Sequence, residues 1–130
     1  MLNKFENLFS VESKVIIITG SNRGNGLALA KGLKDLGAKV ARIDLKFEND
    51  IGTYDIVCDL TEFSNLKKAV KDILTKLSKI DGLVNNAGIN DTVGISAGPN
   101  EFRKSLDRNL VHYYTMTNLC IMELIKTKGS

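Results

Sequence analysis

"IIITGSNRGNG" (Ile16–Gly26) is the stretch that decides the fold. Its β-branched start is stiff, yet it runs straight into glycines at positions 20, 24 and 26, spaced G-x-x-x-G-x-G. With Lys14 and Val15 in front, "KVIIIT" reads as a short apolar strand of the kind buried on both faces of a parallel sheet. Beyond the glycines, "GLALAKGLKDLG" sets Leu27, Ala30, Leu33 and Leu36 at helical spacing, and Gly37 is a stop signal.

The alternation continues outward from there. "AKVARIDL" is a second strand, followed by a polar loop through Asn49, Asp50 and Gly52. "YDIVCDL" is a third, with Thr61 in place to cap a helix that runs to about Ser78. "DGLVNNAG" is a fourth, and a loop past Pro99 leads into a long helix from Glu101 to about Lys126. Strands alternating with helices imply right-handed β-α-β units, hence an α/β fold on a parallel sheet. On the last helix Phe102, Leu106, Leu110, Tyr113 and Thr117 continue one apolar face. Near its end Leu119, Cys120, Ile121, Met122, Leu124 and Ile125 surround it, so more than one side needs covering, by a partner subunit or by the rest of a larger monomer.

Bulk properties narrow the function. The chain has 130 residues, 43% hydrophobic and 25% charged, as expected of one soluble domain. A net charge of +3, from 18 basic and 15 acidic residues, gives no basis for nucleic-acid binding. Lys67, Lys68, Lys71, Lys76 and Lys79 fall between the apolar positions Leu66, Val70, Ile73, Leu74 and Leu77, which makes them a solvated helix face. Cys58 and Cys120 show no metal-ligand spacing, and His112 lacks a neighbouring ligand, so no metal is expected and the histidine is a surface or core residue. No segment nears the roughly twenty apolar residues that a membrane span needs. Two thiols and a start, "MLNKFENLFSVESK", without a hydrophobic run suit the cytoplasm.

A glycine turn between strand and helix has a physical use. Gly20 permits the tight turn, Gly24 leaves the backbone open to a pyrophosphate, and Gly26 lets the helix pack close on the strand. The helix N-terminus adds unpaired N–H groups and the positive end of its dipole. Asp44 ends the second strand, eighteen residues beyond Gly26, where a carboxylate can accept hydrogen bonds from both adenosine ribose hydroxyls.

In "TGSNRGNG" (Thr19–Gly26), "DL" (Asp59–Leu60), "NNAG" (Asn85–Gly88) and the Asn109 of "SLDRNL", the sequence resembles the short-chain dehydrogenases/reductases, from about Lys14 to its last residue. The resemblance implies a Rossmann-type doubly wound sheet with strand order 3-2-1-4, as a single NAD(P)-binding domain over 1–130. It implies hydride transfer between a nicotinamide and a secondary alcohol or ketone. Gly20, Ser21, Asn22, Arg23, Gly24, Asn25 and Gly26 would surround the pyrophosphate and adenosine ribose, and Asp59 and Leu60 would meet the adenine. Asn86, Ala87 and Gly88 would line the cofactor, with Asn85 and Asn86 also stabilising the sheet. Asn109 matches the asparagine of the catalytic tetrad. Asn25 stands where the family usually has isoleucine, so an apolar contact under the cofactor is lost.

Asp44 favours NAD because it would repel a 2′-phosphate, whereas Arg23 admits NADP by pairing with one. Arg42 and Lys46 flank Asp44 and would soften its repulsion. The family's acid/base pair is a tyrosine with a lysine four residues on, one helix turn apart. Here Tyr54, Tyr113 and Tyr114 are followed at that spacing by Cys58, Thr117 and Asn118. The family serine comes one strand after the fourth, and this chain stops at "KTKGS". The resemblance therefore covers the cofactor-binding half, leaves an open apolar edge on strand four, and predicts no catalysis by the 130 residues alone. The alternative is a non-catalytic dinucleotide-binding or regulatory module that works by partner contact through its last helix and open edge. Homo-oligomer formation through the 101–126 helix is expected. A sugar-nucleotide epimerase would have G-x-x-G-x-x-G at the turn.

Overall fold

The computed structural model describes residues 8–130; the reading of residues 1–7 lies outside the described residues. Four parallel strands form one sheet in the order β3-β2-β1-β4: β1 (Val15–Thr19), β2 (Lys39–Asp44), β3 (Tyr54–Val57) and β4 (Gly82–Val84). This is the expected order 3-2-1-4. Every residue of β1 is buried, because helices cover both faces of the sheet. Fully burying Ile17 and Ile18 stabilises by roughly 2–3 kcal/mol each.

Side chains alternate across the strands and so build two cores. On one face Val15, Ile17, Ala41 and Ile43 meet α2 (Phe63–Leu77) through Leu66, Ala69, Val70 and Ile73, and α4 (His112–Thr127) through Met116, Cys120 and Leu124. On the other, Ile16, Ile18 and Val40 meet Ala30 and Leu33 of α1 (Gly24–Asp35). Leu36 is exposed rather than part of that face, since the helix ends beside it. There Gly37, at φ +87°, donates to Lys34 O and Ala38 donates to Leu33 O, closing the helix with a paired C-terminal turn.

Several expectations are corrected. Thr61 does not cap α2; its N–H and hydroxyl both bond the Asp59 carboxylate, at 2.9 and 2.7 Å, and Glu62 is the cap residue. Lys79 lies beyond the helix and is bonded to Asp81 at 2.9 Å, while Lys67, Lys68, Lys71 and Lys76 are exposed as expected. The open edge of β4 is partly occupied: Leu83 donates to Ser130 O and Ser130 donates to Asp81 O.

The long helix differs most. It begins at Pro99 as α3 (Pro99–Leu106), widens into a π turn over Asp107–Val111, and continues as α4. The extra residue of a π turn rotates everything after it. The buried stripe beyond it is His112, Met116, Cys120 and Leu124, while Phe102 and Leu110 of the expected face are exposed. His112 is a core histidine, 2% exposed, with its ring Nε2 2.9 Å from Arg108 O.

Candidate functional site

The glycine turn is stitched to the turn after β4. The buried Thr19 hydroxyl accepts from Asn86 N–H (3.0 Å) and Ala87 N–H (3.1 Å), and the Asn86 amide donates to Thr19 O (3.1 Å) and Gly20 O (2.9 Å). Gly20, at φ +65°, packs so closely that a β-carbon there would sit 2.6 Å from Ala87 Cα. At Gly26 a β-carbon would strike the Gly20 carbonyl oxygen and lie 2.6 Å from Asn86 Nδ2. Gly24 is the reverse case, because at φ +59° a β-carbon would meet nothing within 4 Å. Arg23, Gly24 and Asn25 are exposed, and Arg23 caps α1 without a side-chain bond. The first-turn N–H groups of α1 therefore have no capping side chain, which is the requirement for receiving an anion.

The polar side chains of the turn are largely engaged in holding it. Ser21 is buried and its hydroxyl donates to Ile18 O at 3.1 Å. Asn22 is buried too; its N–H donates to Asp44 Oδ2 at 2.8 Å, and its side-chain oxygen accepts from Glu48 N–H at 2.9 Å. Asp44, half-buried at the end of β2, also accepts from Leu45 N–H at 2.7 Å. Its carboxylate thus stands at the rim of the glycine turn. Nearby, Lys46 lies 2.9 Å from Glu48, and its hydrogen bond and charge hold that exposed carboxyl below the ordinary value of 4.5.

Arg42 is not the flanking cation expected from sequence. It is 1% exposed and forms an ion pair with Asp55, so neither it nor the paired Lys46 stands free beside Asp44. Asp59 is exposed, and its two bonds from Thr61 hold its carboxyl below the ordinary 3.8. Leu60 is half-buried and packs on the core under α2.

Asn109 lies in the π turn. Its Oδ1 accepts from Ile89 N–H at 2.7 Å and its Nδ2 donates to Ser105 O at 3.1 Å, so the amide ties the helix to the segment just after Gly88. Gly88 suits that closeness, since a β-carbon there would come 3.2 Å from Asn109 Oδ1. One helical turn further, Asn85 donates to Tyr113 O (3.4 Å) and Thr117 Oγ1 (3.2 Å), so it ties the end of β4 to helix α4 rather than to a neighbouring strand as expected. The structure thus gathers residues 20–26, Asp44, and 86–88 at the carboxyl ends of β1, β2 and β4, where open α/β sheets bind ligands. Asp59 and Leu60 follow β3 at the same end of the sheet.

The sequence profile of the family described as short chain dehydrogenase matches residues 14–130. The chain belongs to the short-chain dehydrogenase family. Its relatives include L-fucose dehydrogenase of Rattus norvegicus, 30% identical over 126 residues, which cover 90% of this chain and 47% of that protein. Ligand-free aldohexose dehydrogenase of Thermoplasma acidophilum superposes with a TM-score of 0.84 at 32% identity, over 89% of this chain and 46% of that one. The 3-ketoacyl-(acyl-carrier-protein) reductase of Brucella melitensis, solved as a complex with NADH, gives 0.76 at 31% identity, over 88% and 51%. This short-chain dehydrogenase chain spans about half the length of the relatives it matches.

Sequence reasoning missed the roles of three residues: Thr19, which joins the two turns of the site, Arg42, which it read only as a cation flanking Asp44, and Asp81, which anchors the opposite, amino-terminal end of the sheet. Asp81 is buried and accepts from Val15 N–H at 2.8 Å. Burial alone would raise its pKa, but the Val15 N–H, Lys79 and Lys14 together hold it below 3.8. A signal existed for Asp81, an acidic residue directly before an apolar strand, flanked by Lys79. Arg42 had none, because its partner Asp55 becomes visible only from the β2–β3 register.

Proposed function

We propose that this chain is the cofactor-binding half of an NAD-preferring oxidoreductase that moves hydride between a nicotinamide and a secondary alcohol or ketone. The observation that carries the reading is the Asp44 carboxylate, anchored to Asn22 N–H at the rim of the glycine turn, whose Gly24 is open. A tight Gly26, an uncrowded Gly24 and an uncapped helix tip fit a diphosphate, and a rim carboxylate fits the paired hydroxyls of a ribose. The NADH in the Brucella melitensis relative supports the same assignment.

In this reading Gly20, Ser21, Asn22, Arg23, Gly24, Asn25 and Gly26 hold the diphosphate and adjoining ribose, mainly through backbone N–H groups, since the Ser21 hydroxyl and Asn22 amide are already engaged. Asp59 and Leu60 bound the adenine, and Asn86, Ala87 and Gly88 the middle of the cofactor. Bound there, the nicotinamide supplies or accepts the hydride. Asp44 disfavours a 2′-phosphate by like charge, and with Arg42 and Lys46 already paired, Arg23 is the cation left to admit NADP. Asn109 acts as a positioning residue, its amide holding the Ile89 segment. The tyrosine–lysine pair and serine of the family are absent from these 130 residues, so the chain alone binds without turnover.

Titration of both cofactors into the purified protein tests this. NAD should bind more tightly than NADP, and Asp44→Asn should cost NAD about tenfold, the worth of one charge-assisted hydrogen bond. Tighter binding of NADP refutes the preference, and carbonyl reduction by the 130-residue chain refutes the inactivity.

A further inference from the structure

We propose that Arg42 is a positioning residue for the adenosine end of the site, fixing the loop after β2 against the glycine turn so that Asp44 and Asn22 keep their orientation. The inference rests on the cofactor reading above and concerns how that site is kept in shape.

Arg42 and Asp44 are two apart on β2, so they share a face of the sheet, the one that α1 covers. An arginine at 1% exposure requires an account, because burying a guanidinium costs free energy unless its donors and its charge are matched. Here each of the three nitrogens has an acceptor. Nε donates to Thr53 Oγ1 and Asp55 Oδ1, both at 2.8 Å. Nη2 donates to Asp55 Oδ2 and, at 2.9 Å, to the Asn49 carbonyl. Nη1 reaches the Ser21 carbonyl at 3.4 Å, and the Phe47 ring stacks on the guanidinium with its centroid 4.5 Å from Cζ.

The bland reading is a cross-strand tie, since Arg42 and Asp55 are register partners on β2 and β3. A tie of that kind needs Asp55 and Thr53 only. The contacts with Ser21, Phe47 and Asn49 fall outside strand pairing, and they join the glycine turn to the loop that follows Asp44. Asn22 makes the same connection from the other side, through Asp44 below and Glu48 N–H above. Stability is a weak reason for such a pair, because well-packed apolar residues commonly do as well as a buried ion pair. What apolar residues lack is the planar fork that fixes several acceptors at set angles.

The test compares Arg42→Lys with the wild type in the full protein, with AMP as the probe for the adenosine end. Lysine keeps the charge opposite Asp55 but cannot serve Asn49, Ser21 and Asp55 together. The expected result is melting close to wild type, AMP binding weakened about tenfold, as when one charge-assisted hydrogen bond is misplaced, and faster amide exchange at Asn22 and Glu48. Unchanged AMP affinity overturns the proposal, as does unchanged exchange at those amides. Should Arg42→Lys not fold, the double variant Arg42→Met with Asp55→Leu, which removes both charges together, carries the comparison; wild-type AMP affinity in it overturns the proposal. If the wild type binds neither AMP nor NAD, the cofactor reading fails and this inference with it. If the wild type binds and the variants match it, this inference alone fails.

Discussion

Replacing Gly26 by alanine isolates the closeness of α1 to the first turn. Gly26 is not among the glycines with positive φ, so the added methyl brings no backbone strain; its cost is steric. That methyl would occupy the space between the Gly20 carbonyl and Asn86 Nδ2, which are bonded to each other at 2.9 Å. Overpacking of a rigid contact costs about 1–3 kcal/mol, and losing the bond between the two groups adds about 1 kcal/mol. Alanine's better helix propensity returns about 1 kcal/mol, leaving a net loss of about 1–3 kcal/mol. For a unit of 130 residues the unfolding entropy is about 0.27 kcal/mol/K, so the melting temperature should fall by about 4–11 °C. Gly32 in the same helix is the matched control, because a β-carbon there meets nothing within 4 Å. Gly32→Ala should raise the melting temperature by about 2–4 °C, the propensity gain alone. Thermal unfolding followed by circular dichroism reads both. Shifts of the same sign for the two variants would refute the steric argument.

Three other outcomes follow from the geometry. Burial pushes the His112 pKa below its ordinary 6.5, only partly offset by the Arg108 carbonyl. The unfolded chain then takes up the proton first, so stability is highest above pH 6.5 and falls as pH drops through that value toward the folded pKa. Since His112 is the sole histidine, denaturation midpoints should decline between about pH 7.5 and 5.5 and stay level in His112→Gln. The thiols of Cys58 and Cys120 are buried and pushed up to about 11 and about 12, so a thiol reagent at mildly alkaline pH should label neither until denaturant is added. Rapid labelling of the native protein would contradict that packing. The exposed Ile121 and Ile125 lie one turn apart on α4, an apolar face for a partner subunit or for the rest of a larger monomer to cover. If a second copy covers it, glutamate at both should convert a dimer to a monomer in light scattering; a wild-type monomer would remove that option.

Where pattern and local chemistry agree, the sequence was legible. The run Val15–Thr19, the glycines at 20, 24 and 26, and the stop at Gly37 each declare themselves within a few residues, whereas the strand order came from the family resemblance. Failures occurred where two residues competed or where distant segments meet. Thr61 has the chemistry of a cap, but the Asp59 carboxylate, two residues earlier, captured both its N–H and its hydroxyl. Arg42 read as a surface charge because arginine is seldom buried, and its counter-charge arrives from the neighbouring strand. The apolar face beginning at Phe102 was followed at constant helical phase, which the π turn breaks at Asp107–Val111.

That extra residue works as a vernier between the two halves of the helix. An unbroken α-helix ties the direction of every side chain to all the others at about 100° per residue. Asn109, inside the wider turn, faces Ile89, while His112, Met116, Cys120 and Leu124 beyond it face the sheet. The wider turn sets the phase between those two directions. Shortening the turn by one residue would swing one half by about 100°, and either the Ile89 contact or the buried stripe would be lost.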